Sequence, residues 1–112
     1  MRVVVQFEES CRPALTRWRQ ELSANAVDQA ALSQVYLDEL KKRLIQSGGF
    51  PRFCLVVRSQ PEPHFWVELS GNMWVCYAVS DGGRFTSRSR TIHVLEARPN
   101  PPAEAAPAFP PA

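Results

Sequence analysis

No stretch of this chain approaches the roughly 20 apolar residues that a membrane-spanning helix needs. The N-terminus, Met1-Arg2-Val3-Val4-Val5-Gln6-Phe7-Glu8-Glu9, holds only a short apolar run before two acids, which is not a signal-peptide pattern. Cysteine is scarce and odd in number: Cys11, Cys54 and Cys76, with no CxxC spacing. That argues against a disulfide scaffold and for reduced thiols in the cytoplasm. Neither His64 nor His93 stands at ligand spacing from the other or from a cysteine pair, so no metal site is expected. A Gly-rich phosphate loop, a GxSxG turn and usefully spaced carboxylates are also missing, and no cofactor is expected.

What is present fits one domain and a tail. The chain has 112 residues, 45% hydrophobic and 21% charged, an ordinary balance for a folded globular chain. The net charge of +2 says little about a nucleic-acid partner, but its distribution says more. Between residues 84 and 98 stand Arg84, Arg88, Arg90 and Arg98 against one acid, Glu96. Such a cluster can engage phosphates; it can equally be a solvated edge that resists aggregation.

The organising stretch is Phe65 to Val79. Two aromatic-rich apolar runs flank Ser70-Gly71-Asn72, the pattern of a β-hairpin. On the first arm Phe65, Val67 and Leu69 share one face, with Trp66 and Glu68 on the other. The second arm, Met73 to Val79, is apolar on both faces, the pattern of a strand that is covered on both or sits centrally in its sheet, so the hairpin is expected at the middle of a sheet. Alternation alone does not say which face meets the helices.

Ahead of the hairpin, Arg2 to Phe7 reads as a strand, with three β-branched residues in a row. Ser10 is a candidate N-cap and Pro13 is tolerated in a first helical turn. The helix then runs to about Ala24 with Leu15, Trp18 and Leu22 as its apolar stripe. Asn25 and Asp28 are candidate caps of a second helix, whose stripe is Leu32, Val35, Tyr36, Leu40 and Leu44. Lys41-Lys42-Arg43 reads as its solvated end, and Ser47-Gly48-Gly49 as its stop. Phe53 to Arg58 reads as a strand, Gln60 to Pro63 as a break, Arg84 to Arg90 as a polar loop and Thr91 to Ala97 as the last strand. On that strand Ile92 and Val94 share one face, His93 and Leu95 the other. The expected class is α+β: an N-terminal strand, a helical hairpin and an antiparallel meander, with the helices packed on one face. This forms one domain over 1–98, and the Pro/Ala-rich residues 99–112 read as a disordered tail.

Gly71-Asn72-Met73-Trp74-Val75-Cys76-Tyr77-Ala78-Val79, followed by Thr91-Ile92-His93-Val94-Leu95-Glu96-Ala97-Arg98, resembles the RelE/ParE superfamily of toxins from bacterial toxin–antitoxin pairs. There a Gly-Asp/Asn-x-Arg-x-x-Tyr segment precedes a final strand of the form Val-x-x-Leu-x-x-x-Arg. The resemblance covers roughly residues 1 to 98 and implies a cytoplasmic, metal-independent mRNA endoribonuclease that inhibits translation. Its implied partners are a cognate antitoxin protein and mRNA or the ribosome. It implies Tyr77 and Arg98 as catalytic residues, with Arg88, Arg90 and His93 substituting for missing basic groups. Arg84, Arg58 and Arg52 would contact RNA. The sequence departs from the pattern at Trp74, where the motif has arginine, and at Val67 and Leu69, where basic residues are expected. A ParE-like inhibitor that works by binding, or a small α+β interaction module, is therefore an alternative. A tyrosine in an apolar strand is also commonly a core residue with a satisfied hydroxyl.

Overall fold

The computed structural model describes residues 2–24, 29–59, 61–70, 73–82 and 89–108. The candidate caps Asn25 and Asp28, the hairpin tip Gly71-Asn72, the arginines Arg84 and Arg88, and Phe109 lie outside these residues.

The elements are β1 (Arg2–Phe7), a single 3-10 turn (Glu9–Cys11), α1 (Arg12–Ser23), α2 (Gln29–Ser47), β2 (Leu55–Val57), β3 (His64–Ser70), β4 (Met73–Gly82), β5 (Ser89–Arg98) and β6 (Ala106–Pro107). They form an α+β domain around a six-stranded mixed sheet of order β1-β5-β4-β3-β2-β6. β4 is flanked by β3 and β5 along most of its length, as its two-sided apolar pattern requires. β1 joins the far edge parallel to β5, in the register Val4↔Thr91 and Gln6↔His93, so the sheet is not wholly antiparallel. Between leaving β1 and returning through β5, the chain builds both helices and the meander. A β-bulge at Cys76/Tyr77 opposes Cys76 to Glu96 and Tyr77 to Val94, leaving Leu95 as the extra residue.

The helices cover one face. Leu15, Trp18, Leu37, Leu40 and Leu44 pack on Val67, Leu69, Val75, Tyr77, Ile92 and Val94 in one core, with Leu22 and Tyr36 at its margin. Each such aliphatic side chain contributes roughly 1.5–3 kcal/mol on burial. The stripe of α2 is rotated from the expected one. Leu32 and Val35 are 40% and 51% exposed, whereas Ser33 and Leu37 are buried. Leu40 and Leu44 belong to either stripe, and the polar Ser33 disguises the true one. Ser10 does not cap α1. Its hydroxyl donates to the Leu95 carbonyl on β5, and Cys11 takes the N-cap position without a side-chain cap bond.

α2 stops in a Schellman arrangement. Gly48 N–H donates to the Ile45 carbonyl and Gly49 N–H to the Leu44 carbonyl, with Gly48 at φ 64°. Gly49, at φ 92°, lies so close to the sheet that a Cβ there would meet Val79 Cγ2 at 2.8 Å.

The opposite face carries a second cluster: Val57, Trp66 and Cys76, with Leu55, Trp74 and Ala105 packed against it. Ala105 comes from the segment read as a disordered tail, and that reading is corrected for residues 99–108. β6 pairs antiparallel with β2, and Ala108 N–H donates to the Cys54 carbonyl at 3.0 Å. The physical reason is the two-sided apolar hairpin: small Ala and Pro side chains suffice to cover Trp66, while backbone bonds to β2 hold them there. Removing residues 99–112 is expected to lower stability by roughly 2 kcal/mol, from about 25 cal/mol per Å² of apolar surface uncovered. Urea unfolding with tryptophan emission checks it, because Trp66 emission should shift red; unchanged stability would contradict the cover.

Candidate functional site

The helix-free face is only partly covered by the 99–108 segment. On its uncovered part, β1, β5 and β4 bring three polar side chains into one line. Glu8 follows β1, and its backbone N–H donates to the Val94 carbonyl, which fixes it beside β5. His93, on β5, holds Nδ1 2.8 Å from Glu8 Oε1 and Nε2 2.9 Å from Ser80 Oγ on β4. A carboxylate only accepts, so Nδ1 carries the proton. In the neutral ring Nε2 is then the acceptor, and the Ser80 hydroxyl donates to it. His93 and Glu8 are each about one-third exposed and Ser80 is exposed, so a substrate can reach the line from solvent. A histidine oriented by a carboxylate at one nitrogen and accepting from a hydroxyl at the other is a general-base arrangement.

The other sequence-derived residues fall elsewhere. Tyr77 lies on the helix face, fully buried, and its hydroxyl donates to the Gly49 carbonyl at 2.8 Å. Burial, with Cys54 nearby, pushes its hydroxyl well above the usual tyrosine range. It stands in the core, where it docks the end of α2, on the opposite face of the sheet from His93. Arg90 also points to the helix face. Its Nε donates to Asp81 Oδ1 at 2.7 Å, its Nη1 to the Gly48 carbonyl at 2.9 Å, and its guanidinium lies 5.5 Å from the Phe50 ring centre. With these partners it is a second clamp on the α2 stop, turned away from His93.

Arg98 shares the helix-free face but lies toward the tail, lining a small pocket with Pro102 and Glu104, 5.7 Å from the Trp66 ring centre and 3.9 Å from Glu96. It stands five residue steps along the strand from His93, on the order of 16 Å, so the two do not form one site. Arg58 is exposed beyond β2, and Arg52 lies over the Phe53 ring at 5.9 Å. Arg84 and Arg88 lie outside the described residues. Lys41 and Arg43 are not merely a solvated helix end: Lys41 stands over the Phe7 ring, and Arg43 donates to the Glu68 carbonyl.

Of the six described site residues read from sequence, only His93 belongs to the polar line. Glu8 and Ser80 were missed because they stand 85 and 13 residues from it. The available signal was topological: placing the first strand parallel to the last puts residue 8 beside residue 93.

A second feature lies at the other end of β4. A cleft of about 630 Å³ is lined by Arg43, Gln46, Arg52, Phe53, Glu68 and Trp74 over Val67 and Leu69. Phe53, expected inside a strand, precedes β2 and is 83% exposed.

The three cysteines are free and buried. Burial, then the charge of Glu96, pushes the Cys76 thiol up to about 12, and burial raises Cys11 and Cys54. Among the described residues no cluster of histidine, cysteine and carboxylate side chains could hold a metal ion, and no helix is long and apolar enough to cross a membrane. No family model, curated protein or solved structure matches this chain.

Two expectations follow. The unfolded Cys76 thiol titrates near 9.0 and the folded one near 12. Between those values the unfolded chain binds fewer protons, so stability is intact below about pH 9 and falls as pH rises toward 12. Cys76→Ala should flatten that decline in urea midpoints measured across the window; an equally steep decline would contradict the assignment. Separately, Tyr77→Phe should cost about 1–3 kcal/mol, because the buried Gly49 carbonyl loses its donor. His93→Ala should cost under about 1 kcal/mol, as expected for a pair about one-third exposed. Thermal or urea unfolding of both variants separates the structural residue from the site residue, and equal losses would contradict that division.

Proposed function

We propose that this chain is a RelE/ParE-like toxin that cuts mRNA without a metal, with His93 as general base on the helix-free face of the sheet. The observation that carries the reading is the Glu8–His93–Ser80 line. The order of strand, helical pair and meander and the 71–79 and 91–98 segments support it.

In such a cleavage His93 Nε2 takes the proton of a ribose 2′-hydroxyl. The freed oxygen attacks the adjacent phosphorus, the bond from phosphorus to the 5′ oxygen breaks, and that oxygen takes a proton from solvent. The products are a 2′,3′-cyclic phosphate and a 5′-hydroxyl. The Ser80 hydroxyl, 2.9 Å from Nε2, holds the acceptor nitrogen until it rotates aside and the 2′-hydroxyl takes its place. Glu8 keeps the ring in the tautomer that leaves Nε2 as acceptor and stabilises the imidazolium once formed. The reading implies a cognate antitoxin that restrains the protein until it is needed.

One observation favours a second reading, a ParE-like inhibitor that binds without cutting. Tyr77 and Arg90 are both committed to the stop of α2, and Trp74 stands at the position of the motif arginine. No cation with a described side chain contacts His93 to hold a phosphoryl oxygen.

Tightly induced expression in a bacterial host, with growth and mRNA integrity followed together, tests the proposal. Arrest with fragmented mRNA is expected. His93→Ala should restore both by on the order of a hundredfold in cleavage rate, the usual worth of a positioned general base. Glu8→Gln should weaken cleavage without abolishing it. Arrest with intact mRNA would move the assignment to a binding inhibitor, and no arrest would contradict an active toxin in that host.

A further inference from the structure

Resting on the RNA reading, we propose that the cleft at the end of α2 is a single-stranded RNA subsite. A base would stack on Phe53, and the adjoining phosphate would be held by Arg43 and Arg52.

The argument starts from Phe53. A phenylalanine 83% exposed loses most of what burial offers, and it stands in an open cleft rather than alone on a convex surface. Its ring is flanked by the Arg52 guanidinium at 5.9 Å, which leaves the rest of the ring to solvent. Base–aromatic stacking uses such a free face and tolerates any base, and a neighbouring arginine adds a cation–π contribution.

Charge complementarity selects the occupant. Among the described residues neither Arg43 nor Arg52 is in an ion pair. Arg43 gives one N–H to the Glu68 carbonyl, which anchors the guanidinium at the cleft and leaves its remaining donors for a phosphate. The Glu68 carboxylate also lines the cleft, so the site carries two cations against one anion. The volume of about 630 Å³ lies within the range of small-ligand sites. Gln46 supplies a side-chain amide that can donate to or accept from a base edge.

The test uses the full chain carrying His93→Ala, so that the probe is not consumed, titrated into a short fluorescein-labelled single-stranded RNA. Binding is expected. Phe53→Ala should weaken it about tenfold and Phe53→Tyr should retain it, since stacking on one ring is worth 1–3 kcal/mol. Arg43→Ala and Arg52→Ala should each lower the slope of log affinity against log salt by about 0.7, one phosphate contact apiece. Arg43 also braces β3, so circular dichroism of that variant is compared first; Phe53 and Arg52 are exposed and test the proposal without that complication. Binding that depends on the arginines but not on Phe53 would overturn the proposal by reducing the cleft to a cationic surface. So would absence of RNA binding, including the case where mRNA is still cut in cells, which would leave the cleavage reading standing. RNA that binds through Phe53 and is never cut supports the subsite while overturning the cleavage reading.

Discussion

The β3–β4 pair is apolar on both faces, and most of the structure follows from covering it. The helical pair buries one face through Leu15, Trp18, Leu37, Leu40 and Leu44. Neither helix can reach the other face, where Trp66, Cys76 and Val57 form their own cluster. The Pro/Ala segment supplies that cover by adding β6 to the β2 edge and laying Ala105 over the cluster. It is short, and so it covers only the β2–β3 side of the sheet. The remaining strip, toward β1 and β5, stays open to solvent, and that is where Glu8, His93 and Ser80 meet.

The same constraint reassigns residues that a motif would make catalytic. α2 must end where the sheet begins, and Gly49 approaches Val79 too closely for any side chain. The carbonyls left at that end need donors, and Tyr77 and Arg90 provide them to Gly49 and Gly48. A tyrosine and an arginine at these positions are thus explained by the docking of a helix end. His93 has no such duty. Among the described residues its ring bonds only to side chains on the face the helices leave free, and stability gives no strong reason for a carboxylate–imidazole–hydroxyl line there.

Much of this was legible from residue patterns, and the misses have physical causes. The α1 stripe, the glycine stop of α2, the hairpin and the faces of Ile92, Val94 and His93 all follow from short-range periodicity or turn chemistry. The α2 stripe was misread because a buried Ser33 interrupts the true face while Leu32 and Val35 complete a false one. The composition of the tail lacks apolar mass, whereas its order comes from backbone bonds to β2 and from Ala105 packed on the Val57–Trp66–Cys76 cluster. Ser10 was read as a local cap although its hydroxyl reaches Leu95, 85 residues away. Glu8 and Ser80 present the same difficulty: one reaches His93 through the parallel β1–β5 edge pairing and the other through the antiparallel β4–β5 register, and neither carries a mark of it in the sequence.

The most direct test of the account is the tautomer of His93, read from long-range proton–nitrogen correlations in the imidazole of the labelled protein. The account predicts a ring with its proton on Nδ1 and Nε2 accepting, a tautomer preference that weakens in Glu8→Ala. A ring protonated at Nε2, or one exchanging between tautomers and indifferent to Glu8, would contradict a base held ready on the open face.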